Sequence, residues 1–169
     1  MDYSRRALMA VVNRVPVPGT GMVRRASLVP GGPFLDPRVF GWTAALEAGT
    51  ERMAAEVASL LPATEDIPAI EQISRRHAAF TRNETWRTFF LYGRGRPIEE
   101  NCSRCPQTSA MVAEIPDLLA ACYSILLPGS RLDPHHAGWN GTLRYHLGLR
   151  VPENRYACQA RPDLAKEAS

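Results

Sequence analysis

The chain has 169 residues, of which 45% are apolar and 22% are charged, and its formal net charge at pH 7 is +3. A chain of this length can bury one hydrophobic core, so the sequence predicts one domain. The near balance of 20 basic and 17 acidic residues lacks the basic surface typical of nucleic-acid-binding proteins. Four cysteines are too few for a disulfide-rich secreted scaffold, and no stretch approaches the roughly 20 apolar residues of a membrane span. We therefore expect a cytoplasmic protein that binds no nucleic acid and does not cross a membrane.

Helices are predicted in the N-terminal half of the chain. Proline and glycine interrupt residues 1–36, as in "VPVPGTG" and "VPGGPFLDP", which predicts an irregular leader. Asp36 can cap the first helix of a helical region over residues 37–80. Gly49 predicts a break between this first helix and a second one, which ends before Pro62.

The pattern becomes typical of β-strands from about residue 86. The stretch "WRTFFLYGRG" clusters aromatic and β-branched side chains between turn residues. A short helix is expected in "QTSAMVAEI", and a second strand from about Leu119 to Leu127, closed by a Pro-Gly turn. In the first strand, one face is predicted to carry Trp86, Thr88, Phe90 and Tyr92. Helices followed by strands predict a helical region packed on an antiparallel sandwich or barrel.

Residues 143–150, "LRYHLGLR", alternate between apolar and polar side chains, which predicts a strand. Its apolar side must face a core, whereas its polar side faces either solvent or a cavity, and the pattern alone favours solvent. The apolar side carries Leu143, Tyr145, Leu147 and Leu149, and the polar side carries Arg144, His146, Gly148 and Arg150.

Four polar side chains near these strands form a candidate site. Ser124 interrupts an otherwise apolar strand, and His135 follows the Pro-Gly turn, just upstream of Arg144 and His146. A hydroxyl, an imidazole and a guanidinium that converge in one cavity suit a carboxylate, because arginine pairs with it through two parallel hydrogen bonds. The other imidazole is a suitable ligand for iron. We therefore expect a site for a small anionic molecule bound to iron.

The segment "SILLPGSRLDPHHAGWNGTLRYHLGLRVPE" resembles the core of the aspartyl/asparaginyl β-hydroxylase family of iron(II)- and 2-oxoglutarate-dependent dioxygenases. The resemblance extends through "WRTFFLYGRG", "EENCSRCPQT" and "FGWTAALE", and so covers roughly residues 34–158. It implies a mainly β fold with N-terminal helices, namely a double-stranded β-helix (a cupin-like jelly roll), within an oxygenase domain over residues 37–169.

The resemblance also implies cofactors and residue roles. The cofactors are Fe(II) and 2-oxoglutarate. His135 matches the family's first iron ligand, and Ser124, Arg144 and His146 match positions that bind the small-molecule co-substrate. The usual iron-binding carboxylate is replaced by Ala137, where the family generally has glycine, so its absence is expected; the open position would admit water, or a halide in a halogenating relative.

The implied activity is hydroxylation of an unactivated C–H bond. The substrate would be an aspartyl or asparaginyl side chain of a protein or peptide, which is a peptidyl-amino acid modification, or a related lipid or small molecule. The family's second iron histidine and its distal co-substrate arginine follow the "HLGL" segment, and no histidine follows His146 in this sequence. We therefore expect a jelly roll truncated at its C-terminus, in a fragment that lacks the distal metal ligand. The alternative is a non-catalytic binding or scaffold remnant of the same fold.

Two further motifs carry weaker expectations. The C-x-x-C of Cys102 and Cys105 is compatible with half a zinc site or a redox pair, but a structural pair of thiols is favoured. His77 is the remaining imidazole, and no sequence feature places it near the candidate site.

Overall fold

The computed structural model describes residues 35–74, 77–79, 81, 83–132 and 142–151. Apart from its last two residues, the predicted leader lies outside these ranges. In the described ranges, five α-helices and three short 3₁₀ turns accompany one small sheet. The helices are α1 Thr43–Ala48, α2 Thr50–Leu60, α3 Ile70–Ile73, α4 Glu99–Arg104 and α5 Pro106–Ala113, the turns are Pro37–Val39, Leu61–Asp66 and His77–Ala79, and the strands are β1 Trp86–Gly93, β2 Arg96–Pro97 and β3 Ala120–Leu126.

The predicted break at Gly49 and the predicted end before Pro62 are confirmed, whereas the predicted start at Asp36 is wrong, because Asp36 caps a 3₁₀ turn and α1 begins only at Thr43. Asp36 caps the preceding 3₁₀ turn, since its carboxylate accepts a hydrogen bond from the Arg38 backbone N–H at 3.0 Å. Gly49 separates α1 from α2, where a Cβ atom would collide with the Met111 sulfur of α5. The break therefore lets the two helices approach α5 closely. Helix α2 ends at Leu60, and Pro62 lies within the following 3₁₀ turn.

The sheet is antiparallel, with strand order β2-β1-β3. Thr88 pairs with Ser124 and Phe90 with Cys122, but the register then shifts at a bulge, so that Tyr92 pairs with Ala121. An extra residue in one strand reverses the alternation of its side chains. The prediction that Tyr92 shares a face with Trp86, Thr88 and Phe90 is therefore wrong, and Tyr92 packs against the helix-facing core instead.

In the described ranges, the α-helices pack against one face of the sheet. On that face Phe89 and Tyr123 are buried against Leu60 of α2. A second cluster lies between α1, α2 and α5 and is built from Leu46, Met53 and Val112. The opposite face of β3 carries side chains that are exposed in the described chain, and we call it the open face; its β3 members are Ala120, Cys122, Ser124 and Leu126.

The predicted succession of helices and then strands is confirmed. The helices hold more residues than the three strands in the described ranges, so a mainly β composition does not describe this part of the chain. Its architecture is a helical layer packed on a small antiparallel sheet. The longest helix of the described chain, α2, has 11 residues, and none there has the length and apolar character needed to cross a bilayer.

Candidate functional site

Ser124 lies at the middle of β3 on the open face, where the Trp86 side chain of β1 reaches it. The indole Nε1–H of Trp86 donates a hydrogen bond of 2.7 Å to Ser124 Oγ. Because an indole N–H can only donate, Ser124 is the acceptor in this bond, and its own O–H remains available as a donor. The pairing of β1 with β3 therefore presents a directed hydroxyl on the open face.

The Trp86 indole is itself packed against His77. The two rings meet edge to face, with 5.7 Å between their centroids and an interplanar angle of 83°. His77 Nδ1 lies 2.8 Å from Oγ of Ser74, which is only 2% exposed. The structure thus places His77, which no sequence feature linked to the candidate site, against the indole that binds Ser124. Sequence reasoning missed this residue because the contact depends on how the 3₁₀ turn folds back on β1, which no local pattern encodes.

Arg144 and His146 lie on residues 142–151, which form no strand in the described chain, contrary to prediction. The predicted alternation is nevertheless present from Tyr145 to Leu149. Tyr145, Leu147 and Leu149 are half-buried and pack against the cluster between α1, α2 and α5. The polar side chains of Arg144 and His146 are exposed between these anchors, whereas Leu143, predicted to face the core, is 55% exposed.

Tyr145 is the most strongly anchored residue of this segment. Its hydroxyl donates to Glu47 Oε1 at 3.1 Å, and its ring meets the Trp42 ring edge to face at 5.2 Å. Burial, together with the Glu47 carboxylate, raises the pKa of the Tyr145 hydroxyl, which keeps its proton and remains a donor. Helix α1 and the residue before it thus set the position of Arg144 and His146.

The charge of Arg144 acts on groups of the open face. Burial raises the pKa of the Cys122 thiol to about 11, while the Arg144 charge acts in the opposite direction. Burial also lowers the pKa of His146, and Arg144 lowers it further, so the imidazole is neutral at pH 7. Cys122 and His146 both keep solvent-exposed surface. Ser124 lies two residues from Cys122 on the same face of β3.

The side chains of these three predicted residues have the chemistry to bind a small carboxylate. Ser124 offers an O–H donor, Arg144 a permanent positive charge with several N–H donors, and neutral His146 one further N–H donor. The Arg144 charge acts on His146 and on Cys122, which lies two residues from Ser124 on the same face of β3, and no direct hydrogen bond joins Ser124, Arg144 and His146 in the described contacts.

The predicted iron ligand His135 lies outside the described residues, as does Ala137. In the ranges that the structure does describe, no group of three His, Cys, Asp or Glu side chains is placed to hold a metal ion. The role of His135 stays a prediction.

The two thiols of the C-x-x-C motif have structural roles. Cys102 lies within α4, and Cys105 lies between α4 and α5. The Cys102 thiol donates to the Leu91 carbonyl at 3.2 Å. Cys105 is fully buried, and burial, together with the Glu56 carboxylate, raises its pKa to about 11. A protonated, buried thiol is inert packing rather than a redox nucleophile, which supports the favoured structural interpretation.

Several known proteins are similar to this chain. A family model described as Aspartyl/Asparaginyl beta-hydroxylase matches residues 47–166. The chain is 39% identical over 121 residues to "Ornithine lipid ester-linked acyl 2-hydroxylase" of Rhizobium tropici, and the matched residues make up 72% of this chain and 43% of the relative. It is 35% identical over 80 residues to "Aspartate beta-hydroxylase domain-containing protein 2" of Xenopus tropicalis (44% of this chain, 22% of the relative). It is 34% identical over 73 residues to human "Aspartyl/asparaginyl beta-hydroxylase" (40% of this chain, 10% of the relative).

The chain spans less than half the length of each of these relatives. The family model, however, covers 120 consecutive positions of this chain, from 47 to 166, and so takes in α2, all three strands and the Arg144–His146 segment. The relatives are named as hydroxylases acting on a lipid or as aspartyl/asparaginyl hydroxylases. The chain therefore belongs to the aspartyl/asparaginyl β-hydroxylase family.

Proposed function

We propose that this protein is an iron(II)- and 2-oxoglutarate-dependent hydroxylase whose co-substrate binds on the open face. The observation that supports the proposal is the Arg144 charge acting on Cys122 and His146, with Ser124 beside Cys122 on the same face of β3 and its hydroxyl oxygen bound to the Trp86 indole. The sheet would then form part of a double-stranded β-helix, with the open face turned to its interior.

Each of these side chains has a chemical role in the proposal. The Arg144 guanidinium pairs with a carboxylate of 2-oxoglutarate, and the Ser124 hydroxyl and neutral His146 imidazole donate to its oxygens. His135 would supply a neutral imidazole to iron(II). When bound, the iron and 2-oxoglutarate supply the oxidant: dioxygen converts 2-oxoglutarate to succinate and carbon dioxide, and its second oxygen atom enters the substrate C–H bond as a hydroxyl group. The protein's own contribution is to orient the co-substrate and to limit access of water.

We propose the acyl group of a lipid as the substrate. The name of the Rhizobium tropici relative, which matches 72% of this chain, specifies a lipid acyl group. The open face supports this choice, because its side chains beyond the polar groups are apolar or neutral: Trp86 and Phe90 are half-buried, and Leu126 is 46% exposed. An aspartyl or asparaginyl side chain, the substrate named for the human relative, is the second candidate.

The co-substrate step is tested by measuring 2-oxoglutarate binding to the full chain by calorimetry under anaerobic conditions with iron(II). Arg144→Ala is expected to weaken binding about 10- to 100-fold, the range for a lost charge-assisted hydrogen bond. Arg96→Ala, an exposed arginine on β2, is the matched control and should leave the affinity unchanged. An unchanged affinity for Arg144→Ala would show that this guanidinium is not the carboxylate partner.

Turnover separates the candidate substrates and the alternative of a non-catalytic binding protein. The full chain with iron(II) and 2-oxoglutarate is supplied with an ester-linked acyl lipid or with an aspartate-containing peptide, and succinate and hydroxylated product are measured. We expect succinate and one added oxygen atom with the lipid. Oxygen insertion into the peptide alone would select the second candidate, and neither succinate nor bound metal would leave only the non-catalytic alternative.

A further inference from the structure

The open face carries a second unusual hydroxyl, directly opposite Ser124. Thr88 pairs with Ser124 across β1 and β3, is 2% exposed, and its Oγ1 is buried without a hydrogen-bond partner. Residues directly opposite each other in an antiparallel pair have Cβ atoms about 4.5–5.5 Å apart, and threonine–serine hydrogen bonds form readily at that spacing. Ser124 nevertheless bonds to the Trp86 indole instead.

The indole therefore holds the Ser124 oxygen in a position where it makes no hydrogen bond with Thr88. A hydroxyl can donate once and accept twice, and it rotates to suit its partners. If the indole moved away, the Ser124 side chain could turn toward the residue directly opposite and donate its hydrogen to Thr88 Oγ1, which is buried and has no hydrogen-bond partner. The Trp86 hydrogen bond holds the Ser124 oxygen as an acceptor toward Trp86 and leaves its hydrogen for a ligand.

His77 packs against the Trp86 indole. Its ring meets the Trp86 ring edge to face, an arrangement that aromatic pairs favour. The His77 ring is held in turn by Ser74 through Nδ1, at 2.8 Å, and the His77 backbone N–H donates to the Ser74 carbonyl at 3.1 Å. Ser74 is buried at the end of α3, so this side of the His77 ring rests on the helical layer.

We propose that His77 is a positioning residue for co-substrate binding: it braces Trp86 against Ser124 and so prevents the Ser124 hydroxyl from pairing with Thr88. The last step, donation to 2-oxoglutarate, rests on the proposed function, whereas the bracing itself does not. The chain Ser74–His77–Trp86–Ser124 connects the helical layer to the open face across the edge of β1.

The bracing is tested by NMR of the tryptophan indole N–H groups in the full chain, with the Trp86 signal assigned by its loss in Trp86→Phe. Ser124→Ala gives the signal position and the solvent-exchange rate without the hydrogen bond. His77→Ala is expected to move the Trp86 signal toward that position and to speed its exchange. Ser74→Ala, which removes a single hydroxyl, should do the same to a smaller extent and serves if His77→Ala does not fold. Ser59→Ala, an exposed serine of α2, is the matched control and should change nothing.

A second substitution tests whether His77 positions the Ser124 hydroxyl or only contributes to packing. His77→Ala is expected to weaken 2-oxoglutarate binding about fivefold, the effect of one ordinary hydrogen bond. Adding Thr88→Val removes the competing hydroxyl and should restore most of that loss, although it restores none of the ring contact. An unchanged Trp86 signal in His77→Ala and Ser74→Ala overturns the bracing, and absence of rescue by Thr88→Val overturns the competition with Thr88. If the wild-type chain binds no 2-oxoglutarate, the proposed function fails, while the indole signals still decide the bracing.

Discussion

Ser124 lies on a hydrogen-bonded strand, whereas Arg144 and His146 lie on a segment that makes no strand in the described chain. On β3, the backbone register against β1 decides which side chains are neighbours. Along residues 142–151, alternate side chains hold the chain against the helices instead. The comparison teaches that backbone hydrogen bonds fix the position of Ser124, whereas side-chain packing fixes the positions of Arg144 and His146. Residues 142–151 should therefore lose their structure before β3 does when contacts are removed.

The largest expected difference is in the stability lost on truncation of one apolar side chain in each region. Phe89 of β1 is 0% exposed and packs beside Tyr123, with 6.5 Å between ring centroids. Phe89→Ala should lower the free energy of unfolding by about 3–5 kcal/mol, because it leaves a cavity in the main core. Leu147 is half-buried, and Leu147→Ala should cost about 1–2 kcal/mol, since less apolar surface returns to water.

Urea unfolding followed by circular dichroism measures both losses. Arg144 and His146 should become more exposed to solvent in Leu147→Ala while the sheet stays intact. Equal losses in the two variants would show that residues 142–151 are as firmly built into the core as β1.

The same contrast explains how much could be predicted from sequence. Alternation identified the sides of residues 145–149 correctly, because side-chain period depends only on an extended backbone. It could not give the register, and the Trp86–Ser124 contact joins residues 38 positions apart. The bulge between Phe90 and Tyr92, which turns Tyr92 toward the helices, adds one residue to β1. No glycine or proline between these residues indicates a bulge in the sequence.

Prediction from sequence failed for a different reason at the segment that carries Arg144 and His146. The sequence of residues 143–150 predicts a strand, but strand hydrogen bonds need a neighbouring strand, and side-chain alternation alone does not supply one. The placement of Arg144 near Cys122 follows from packing of Tyr145 against α1, a contact between positions 98 apart. His77 was missed for the same reason, since a ring contact between the 3₁₀ turn and β1 leaves no periodic signal.

A smaller effect is expected when only the polar anchor of residues 142–151 is removed. Tyr145→Phe deletes the hydrogen bond to Glu47 and keeps the ring against Trp42. Because Glu47 is exposed, the loss should be near the low end for a hydrogen bond, about 0.5 kcal/mol. Backbone amide hydrogen exchange should become faster over residues 143–149 and stay unchanged in β1 and β3.

The matched control is Tyr92→Phe. It deletes the same atom from a tyrosine whose hydroxyl makes no hydrogen bond among the described contacts, and it should leave exchange over residues 143–149 unchanged. Faster exchange throughout the sheet in Tyr145→Phe would mean that β3 and residues 142–151 unfold together. It would contradict the view that they are held independently.

The smallest expected effect is a dependence on pH through His146. Burial and the Arg144 charge lower the pKa of this imidazole from its ordinary value of 6.5. The unfolded chain therefore takes up a proton at a higher pH than the folded chain does, and the contribution of His146 to stability is fully present above pH 6.5 and is lost as the pH falls through the lowered pKa.

An NMR titration of the His146 ring measures the shift directly. Arg144→Gln should raise the pKa of His146 toward 6.5 without reaching it, because burial is the larger cause and stays in place. Arg96→Gln, on β2, should leave the titration unchanged. If Arg144→Gln has no effect, the guanidinium does not lie beside this imidazole, and the two residues cannot act on one carboxylate. A pKa that rises fully to 6.5 would mean that residues 142–151 have left the helices, so the size of the shift separates loss of the charge from loss of the packing that holds this half of the site.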